Sequence, residues 1–185
     1  MKNIFLNTFN ILTKKCAWNS KAIFLDRDWT INYDASYVYK ISDLKLLDWA
    51  KEWLNELKNL WYKLILITNQ SWIWRWYYTI QDCNKFDKEL QKQLWLKFDW
   101  IYICPHSPGD NCKCRKPQTL LVEKAIKNFN LDVHKCYFIW DKESDIQTGI
   151  NVGCKTVLVN NSQYECKLTP DYCVNNILEF AELVK

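Results

Sequence analysis

The chain predicts an α/β fold, a Rossmann-like, mainly parallel sheet with helices on both faces. Three observations carry that expectation. Short apolar runs alternate with amphipathic stretches from residue 22 onward, the order that builds parallel strands joined by crossover helices. Acidic and polar residues gather where the apolar runs stop, as they do at ligand-binding strand ends. At 185 residues the chain makes one domain over 21–185, with residues 1–20 as a tail and no linker or repeat marking a second.

Ala22–Leu25 reads as the first strand, ending at an acidic cluster. Leu44, Leu47, Ala50, Leu54, Leu57 and Leu60 fall at spacings of three and four, one face of a helix. Residues 64–67 form a buried strand that stops at Thr68-Asn69-Gln70-Ser71. Thr79 with Asp82 resembles a capping box, opening a helix to about Leu94. Residues 101–103 give a third strand and 119–129 a third helix. Residues 137–139 form a fourth strand, ending at Asp141. A helix over 144–152 closes at Gly153, the position after a helix end where a left-handed backbone favours glycine. Residues 156–159 make a fifth strand, and 174–184 a closing helix.

Composition narrows the function. The formal charge is +4, spread along the chain, which suits a small anionic ligand and argues for neither nucleic acid nor membrane. No apolar run reaches transmembrane length, and residues 1–20 lack the ordered segments of a secretory signal. Three of the nine cysteines crowd around His106, whereas Cys16, Cys83, Cys136, Cys154, Cys166 and Cys173 are scattered. That pattern favours a metal site in a reducing cytoplasm over a disulfide framework.

Eleven tryptophans stand against three glycines, where average usage of about seven per cent would give about a dozen glycines. Trp61 and Trp95 follow helix ends, Trp29 sits directly behind Asp26-Arg27-Asp28, and Trp72, Trp74 and Trp76 alternate through a polar loop. These are glycine positions by turn chemistry. A genetic code that reads UGA as glycine, translated as if UGA were tryptophan, would write this sequence.

The strand ends bring together Asp26 and Asp28, Thr68 and Asn69, Cys104 and His106, then Asp141 and Asp145. Carboxylates, a hydroxyl and the downstream pair Arg115-Lys116 make a phosphoryl-transfer set. Hard oxygen ligands would hold Mg²⁺, a carboxylate can attack phosphorus, and lysine and threonine can steady phosphoryl oxygens.

Phe24-Leu25-Asp26-Arg27-Asp28-Trp29-Thr30-Ile31 resembles the first motif of haloacid dehalogenase superfamily phosphatases, with Trp29 where they carry glycine. Thr68, Lys116 and the span Asp141 to Asp145 resemble their second, third and fourth motifs. The resemblance covers about residues 21–160. It implies Asp26 as nucleophile and Asp28 as the general acid, then base. It implies that Asp26, the Asp28 main-chain carbonyl and Asp141 bind Mg²⁺, and that Thr68 and Lys116 hold the phosphoryl group. Indoles at Trp29 and Trp140 would crowd that site. If both are genuine, the alternative is a catalytically impaired, zinc-stabilised binding module on the same fold.

Cys104, His106, Cys112 and Cys114 make a Cys₃His set suited to tetrahedral, structural Zn²⁺. Pinning that loop would aim Arg115 and Lys116 at the phosphate.

Cys-Pro-His followed by Cys-x-Cys-Arg-Lys-Pro is similar to one branch of the superfamily, the heptose 1,7-bisphosphate and histidinol-phosphate phosphatases. Residues 28–32 and 68–77 look more like the heptose enzymes, and Gln118-Thr119-Leu120 more like the histidinol-phosphate side. The resemblance implies that Asp34, Tyr37, Asn69, Gln70, Ser71, Arg115 and Lys142 line the substrate site. Between Thr68 and Lys116 no room remains for a cap domain, so an open site is expected. The expected molecule is a monomeric, cytoplasmic phosphatase of a small phosphorylated sugar or amino alcohol. His134 reads as a solvated loop residue, and Tyr77 and Tyr78 as turn packing.

Overall fold

The structure, a computed structural model, describes residues 20–34, 38–140, 142–159, 167–175 and 177–185. The expected tail, Tyr37 and Asp141 therefore lie outside the described residues, apart from Ser20 at the tail's end. Among the described residues, six strands build the sheet: β1 (Ala22–Leu25), β2 (Lys63–Asn69), β3 (Trp100–Cys104), β4 (Tyr137–Trp140), β5 (Lys155–Val159) and β6 (Tyr172–Val174). Their order is β3-β2-β1-β4-β5-β6, and each neighbouring pair is parallel. Five α-helices lie between and after them: α1 (Ala50–Asn59), α2 (Ile80–Leu94), α3 (Leu120–Phe129), α4 (Glu143–Val152) and α5 (Ile177–Leu183).

Parallel strands covered on both faces are apolar throughout, and all four residues of β1 are buried. Alternation then sorts them. Ile23 and Leu25 pack with Trp53, Leu57, Leu90 and Phe180 from α1, α2 and α5, whereas Ala22 and Phe24 pack with Leu121, Val122 and Ala125 of α3. Helix α4 joins the α3 face at Gly149, where an added Cβ would sit 2.7 Å from Thr156 Cγ2 and 2.9 Å from Phe138 Cβ.

The capping box forms as the sequence implies. Thr79 and Asp82 cap each other's backbone at the start of α2. Helices α1 to α4 all end alike. In each, a residue with positive φ follows the helix, and the next N–H reaches back to the carbonyl five residues earlier. The pairs are Tyr62 to Leu57 (3.1 Å), Leu96 to Gln91 (3.1 Å), Leu131 to Ile126 (3.0 Å) and Cys154 to Gly149 (3.0 Å). The left-handed residues are Trp61, Trp95, Asn130 and Gly153.

Two expectations are corrected. The helix drawn back to Leu44 begins only at Ala50, because residues 45–47 run alongside 31–33. Tyr33 N–H donates to the Lys45 carbonyl and Leu47 N–H to the Ile31 carbonyl, both at 2.9 Å. Leu44 and Leu47 join the core without helical backbone, so their spacing mimicked a helix. The closing helix, read from residue 174, begins only at Ile177, and Val174 instead ends the edge strand β6. Three residues are too few to show a period.

Candidate active site

The strand order reverses between β1 and β4, and such a switch point opens a crevice beyond the strands' carboxyl ends. Asp26 leaves the end of β1 directly into it. The chain then turns tightly, with Trp29 N–H donating to the Asn32 carbonyl at 2.8 Å and Ile31 N–H to the Arg27 carbonyl at 2.9 Å.

Lys116 reaches the same point from the cysteine loop. Its Nζ lies 3.4 Å from Asp26 Oδ1 and 3.0 Å from Asp145 Oδ1, and donates to the Ile67 carbonyl at 2.8 Å. All three ionic side chains are buried. A cation in that position offsets two carboxylates that would otherwise repel and be poorly solvated. Asn69 holds the Lys116 main chain, accepting from its N–H at 3.2 Å and donating to its carbonyl at 3.4 Å. The Lys116–Pro117 peptide bond is cis.

Asp28 sits in a second, hydrogen-bonded network. The fully buried Arg27 side chain grips it with a two-pronged fork, Nε to Oδ1 at 2.9 Å and Nη2 to Oδ2 at 3.1 Å. Asn32 donates to Oδ1 at 3.2 Å and Gln70 to Oδ2 at 2.9 Å. Gln70 also donates to Thr68 Oγ1 at 2.9 Å and accepts from the Tyr78 hydroxyl at 2.5 Å. Burial pushes the Asp28 pKa up, but the Arg27 charge and these hydrogen bonds outweigh it and hold the carboxyl below its usual range. Across the guanidinium, Asp87 of α2 faces Arg27 Nη1 at 3.4 Å. Burial pushes the Asp87 carboxyl up to about 6, against the pull of Arg27.

Arg27, Asp87 and the pairing of Asp145 with Lys116 were not singled out from sequence, and Tyr78, read as turn packing, also gives its hydroxyl to Gln70. Arg27 and Asp145 lay inside recognised clusters and could have been. Asp87 lies 60 residues from Arg27, and nothing in the sequence pointed to it.

The other expected residues that the structure describes make local contacts. Asp34 Oδ1 accepts from Val38 N–H at 2.9 Å. Arg115 Nη1 donates to the His106 carbonyl at 3.2 Å, which ties it to the cysteine loop. Lys142 caps the N-terminus of α4, its carbonyl accepting from Asp145 N–H at 3.1 Å. Ser71 opens the turn that follows Gln70, and Gln70 N–H donates to the Cys104 carbonyl at 2.8 Å.

Cys104, His106, Cys112 and Cys114 converge, their ligand atoms all within 4.8 Å of one another. Among the three sulfurs, separations run from 3.2 Å, for Cys114 Sγ to Cys104 Sγ, to 3.7 Å, for Cys104 Sγ to Cys112 Sγ. Thiolates about 2.3 Å from a tetrahedral zinc stand about 3.8 Å apart, so the four atoms are nearly set for such an ion.

A family model described as HAD-hydrolase-like matches residues 113–180. The D-glycero-beta-D-manno-heptose-1,7-bisphosphate 7-phosphatase of Helicobacter pylori is 42% identical over 144 residues, covering 76% of this chain and 83% of its own. The chain belongs to the haloacid dehalogenase superfamily of phosphatases. The phosphatase of the same description from Haemophilus influenzae is 36% identical over 180 residues, 90% of this chain and 97% of its own. The bifunctional histidine-biosynthesis protein HisB of Blochmanniella floridana is 35% identical over 164 residues, but only 46% of that protein is covered. Among solved structures, the D,D-heptose 1,7-bisphosphate phosphatase of B. bronchiseptica, complexed with magnesium and phosphate, superposes with a TM-score of 0.80 at 22% identity. That match covers 90% of this chain and 98% of the other. The fold of this phosphatase is thus that of its superfamily.

Proposed function

We propose that this phosphatase removes the 7-phosphate of D-glycero-D-manno-heptose 1,7-bisphosphate. One conjunction carries the reading. Relatives named for that reaction match over most of their own length, and the chain sets Asp26 against a buried Lys116 at the sheet's switch point. Histidinol phosphate is the alternative substrate, supported by the shorter match to the histidine-biosynthesis protein.

In this mechanism the Asp26 carboxylate attacks phosphorus, and the sugar oxygen departs with a proton from Asp28. Asp28 then takes a proton from water, which attacks the aspartyl-phosphate, releases phosphate and restores Asp26. Thr68 and Lys116 hold the phosphoryl oxygens. The Arg27 fork favours ionised Asp28 in the free site, and an arriving phosphate dianion favours the protonated form that the leaving group needs. Asn69 and Gln70 steady Lys116 and Asp28 from within. Asp34, Tyr37, Ser71, Arg115 and Lys142 meet the substrate.

The donor set fits Mg²⁺, since Asp26 Oδ1 is buried and accepts no hydrogen bond. Asp26, the Asp28 carbonyl and Asp141 would hold the ion, which when bound neutralises phosphoryl charge. The Cys₃His set would hold Zn²⁺ as a structural ion. Uncrosslinked cysteines among the described residues support a reducing, cytoplasmic setting, and no helix among them is long and apolar enough to cross a membrane. The enzyme is read as a monomer acting on a small phosphorylated substrate.

Steady-state kcat/KM on the heptose bisphosphate and on histidinol phosphate, with Mg²⁺ and then with chelator, tests the reading. A preference of at least about a hundredfold for the bisphosphate is expected, lost with chelator. A preference for histidinol phosphate would replace the substrate, and turnover unaffected by chelator would remove the Mg²⁺ assignment.

A further inference from the structure

We propose that glycine, not tryptophan, occupies positions 29, 61, 76 and 95 of the protein as its own cells make it, through a code that reads UGA as glycine. Seven described residues have positive φ. They are Gly153 at 77°, Asn111 and Asn130 at 47° and 51°, and Trp29, Trp61, Trp76 and Trp95 at 62°, 65°, 62° and 56°. Glycine and asparagine are the residue types that accept this backbone, whereas a bulky side chain there is a true outlier. No described tyrosine or phenylalanine adopts it, so bulky aromatics as a class avoid it and tryptophan alone does not.

The helix ends make the comparison internal. Trp61 and Trp95 fill the same hydrogen-bonded slot that Asn130 and Gly153 fill after α3 and α4. Nor do the indoles gain by burial. Trp61 is 87% exposed, Trp76 94% and Trp95 82%. Lys51 Nζ lies 4.2 Å from the Trp95 ring centre, but an exposed contact of that kind is weak, too little to account for a bulky side chain on backbone that it strains. Trp29 has a functional consequence as well. It lies in the turn directly behind Asp26 and Asp28, half-buried against Tyr33 with ring centres 6.0 Å apart. Glycine there would leave the turn's backbone open to an approaching phosphate.

The gene decides first. All four codons must be UGA, and a UGG at any of them overturns the proposal. Peptide mass spectrometry of protein isolated from its own cells should then find glycine at all four positions, and tryptophan at any one overturns it. The physical premise has its own test in recombinant protein. Trp61→Gly and Trp95→Gly should each raise Tm by roughly 2–4 °C, with Trp61→Phe raising it not at all, because phenylalanine keeps the strained Cβ. If the glycine variants are no more stable than the tryptophan chain, the strain argument fails.

A different observation assigns Asp87 as a positioning residue that acts on Asp28 through Arg27. Arg27 places Nε and Nη2 on Asp28, Nη2 also on the Val38 carbonyl at 3.1 Å, and Nη1 on Asp87. Its guanidinium lies over the Phe86 ring, 4.6 Å from the centre. Asp87 Oδ2 is buried without a hydrogen-bond partner, an expensive arrangement for a group whose only task is packing. Its visible task is to fix the third corner of the guanidinium, so that the other two meet Asp28 squarely.

The inference rests on Asp28 as proton donor, so both variants are measured on an alkyl phosphate and an aryl phosphate, beside thermal unfolding. Asp28→Asn should lose far more activity on the alkyl substrate, whose leaving group needs the proton, and equal losses would sink the Asp28 reading itself. Asp87→Asn should lose roughly ten- to a hundredfold in kcat on the alkyl substrate, much less on the aryl one, with KM and Tm little changed. A selective Asp28→Asn with an unselective or fully active Asp87→Asn would overturn the role given to Asp87.

Discussion

Asp26 and Lys116 divide the work of one buried ion cluster, and their variants separate chemistry from stability. Asp26→Asn keeps the shape but cannot form the acyl-phosphate, so turnover should fall on the order of 10³-fold or more with the unfolding transition nearly unchanged. Stopped phosphate-release assays on a clean preparation check it. Lys116→Met removes the cation that faces both Asp26 and Asp145. It should cost about 3–5 kcal/mol by denaturant unfolding, because two buried carboxylates lose their partner. A loss below about 1 kcal/mol would mean that the site is wetter than its burial implies. At this scale the meeting of Asp26, Asp28, Thr68 and Lys116 was legible, since Asp26 and Thr68 directly follow apolar runs and Asp28 and Lys116 lie two residues beyond Asp26 and Cys114. Asp87 was not, because only tertiary packing carries α2 across to Arg27.

Helices, loops and strands were legible where local chemistry decided them. Thr79 with Asp82 declared the start of α2, and Gly153 the end of α4. The start of α1 was misread because Leu47 is buried where residues 45–47 pair with 31–33 and Leu44 packs half-buried beside the core, which spacing alone cannot distinguish from a helical face. β6 was missed because a three-residue edge strand carries almost no pattern. The packing of α4 on the sheet depends on a bare backbone at Gly149, so Gly149→Ala should destabilise by roughly 1–3 kcal/mol, as the Thr156 and Phe138 contacts require. Equilibrium denaturation reads that change directly. Cys112→Ser should release about one zinc per chain on elemental analysis, with Tm and activity falling together, because the loop that loses its ion also carries Arg115 and Lys116. Zinc-free wild-type protein purified without chelator would contradict the closed metal site.

Across the whole molecule, the strand order β3-β2-β1-β4-β5-β6 explains how residues from distant segments meet. The alternation of apolar runs implied parallel crossovers, which put every strand's carboxyl end on one side and so gathered Asp26, Thr68, Cys104 and the start of α4 there. What alternation did not give was which ends would touch. Lys116 arrives because the cysteine loop folds back over β2, with Asn69 holding its main chain. Among the described residues, the chain between β2 and Lys116 forms α2, β3 and the cysteine loop, with no inserted domain.

Phosphorus NMR of D-glycero-D-manno-heptose 1,7-bisphosphate incubated with the enzyme and Mg²⁺ shows which phosphate is removed, because the two resonate separately. The 7-phosphate signal should convert to inorganic phosphate while the anomeric 1-phosphate persists, and Asp26→Asn should leave both signals intact. Loss of the 1-phosphate first, or release of the 7-phosphate by Asp26→Asn at the wild-type rate, would contradict the account.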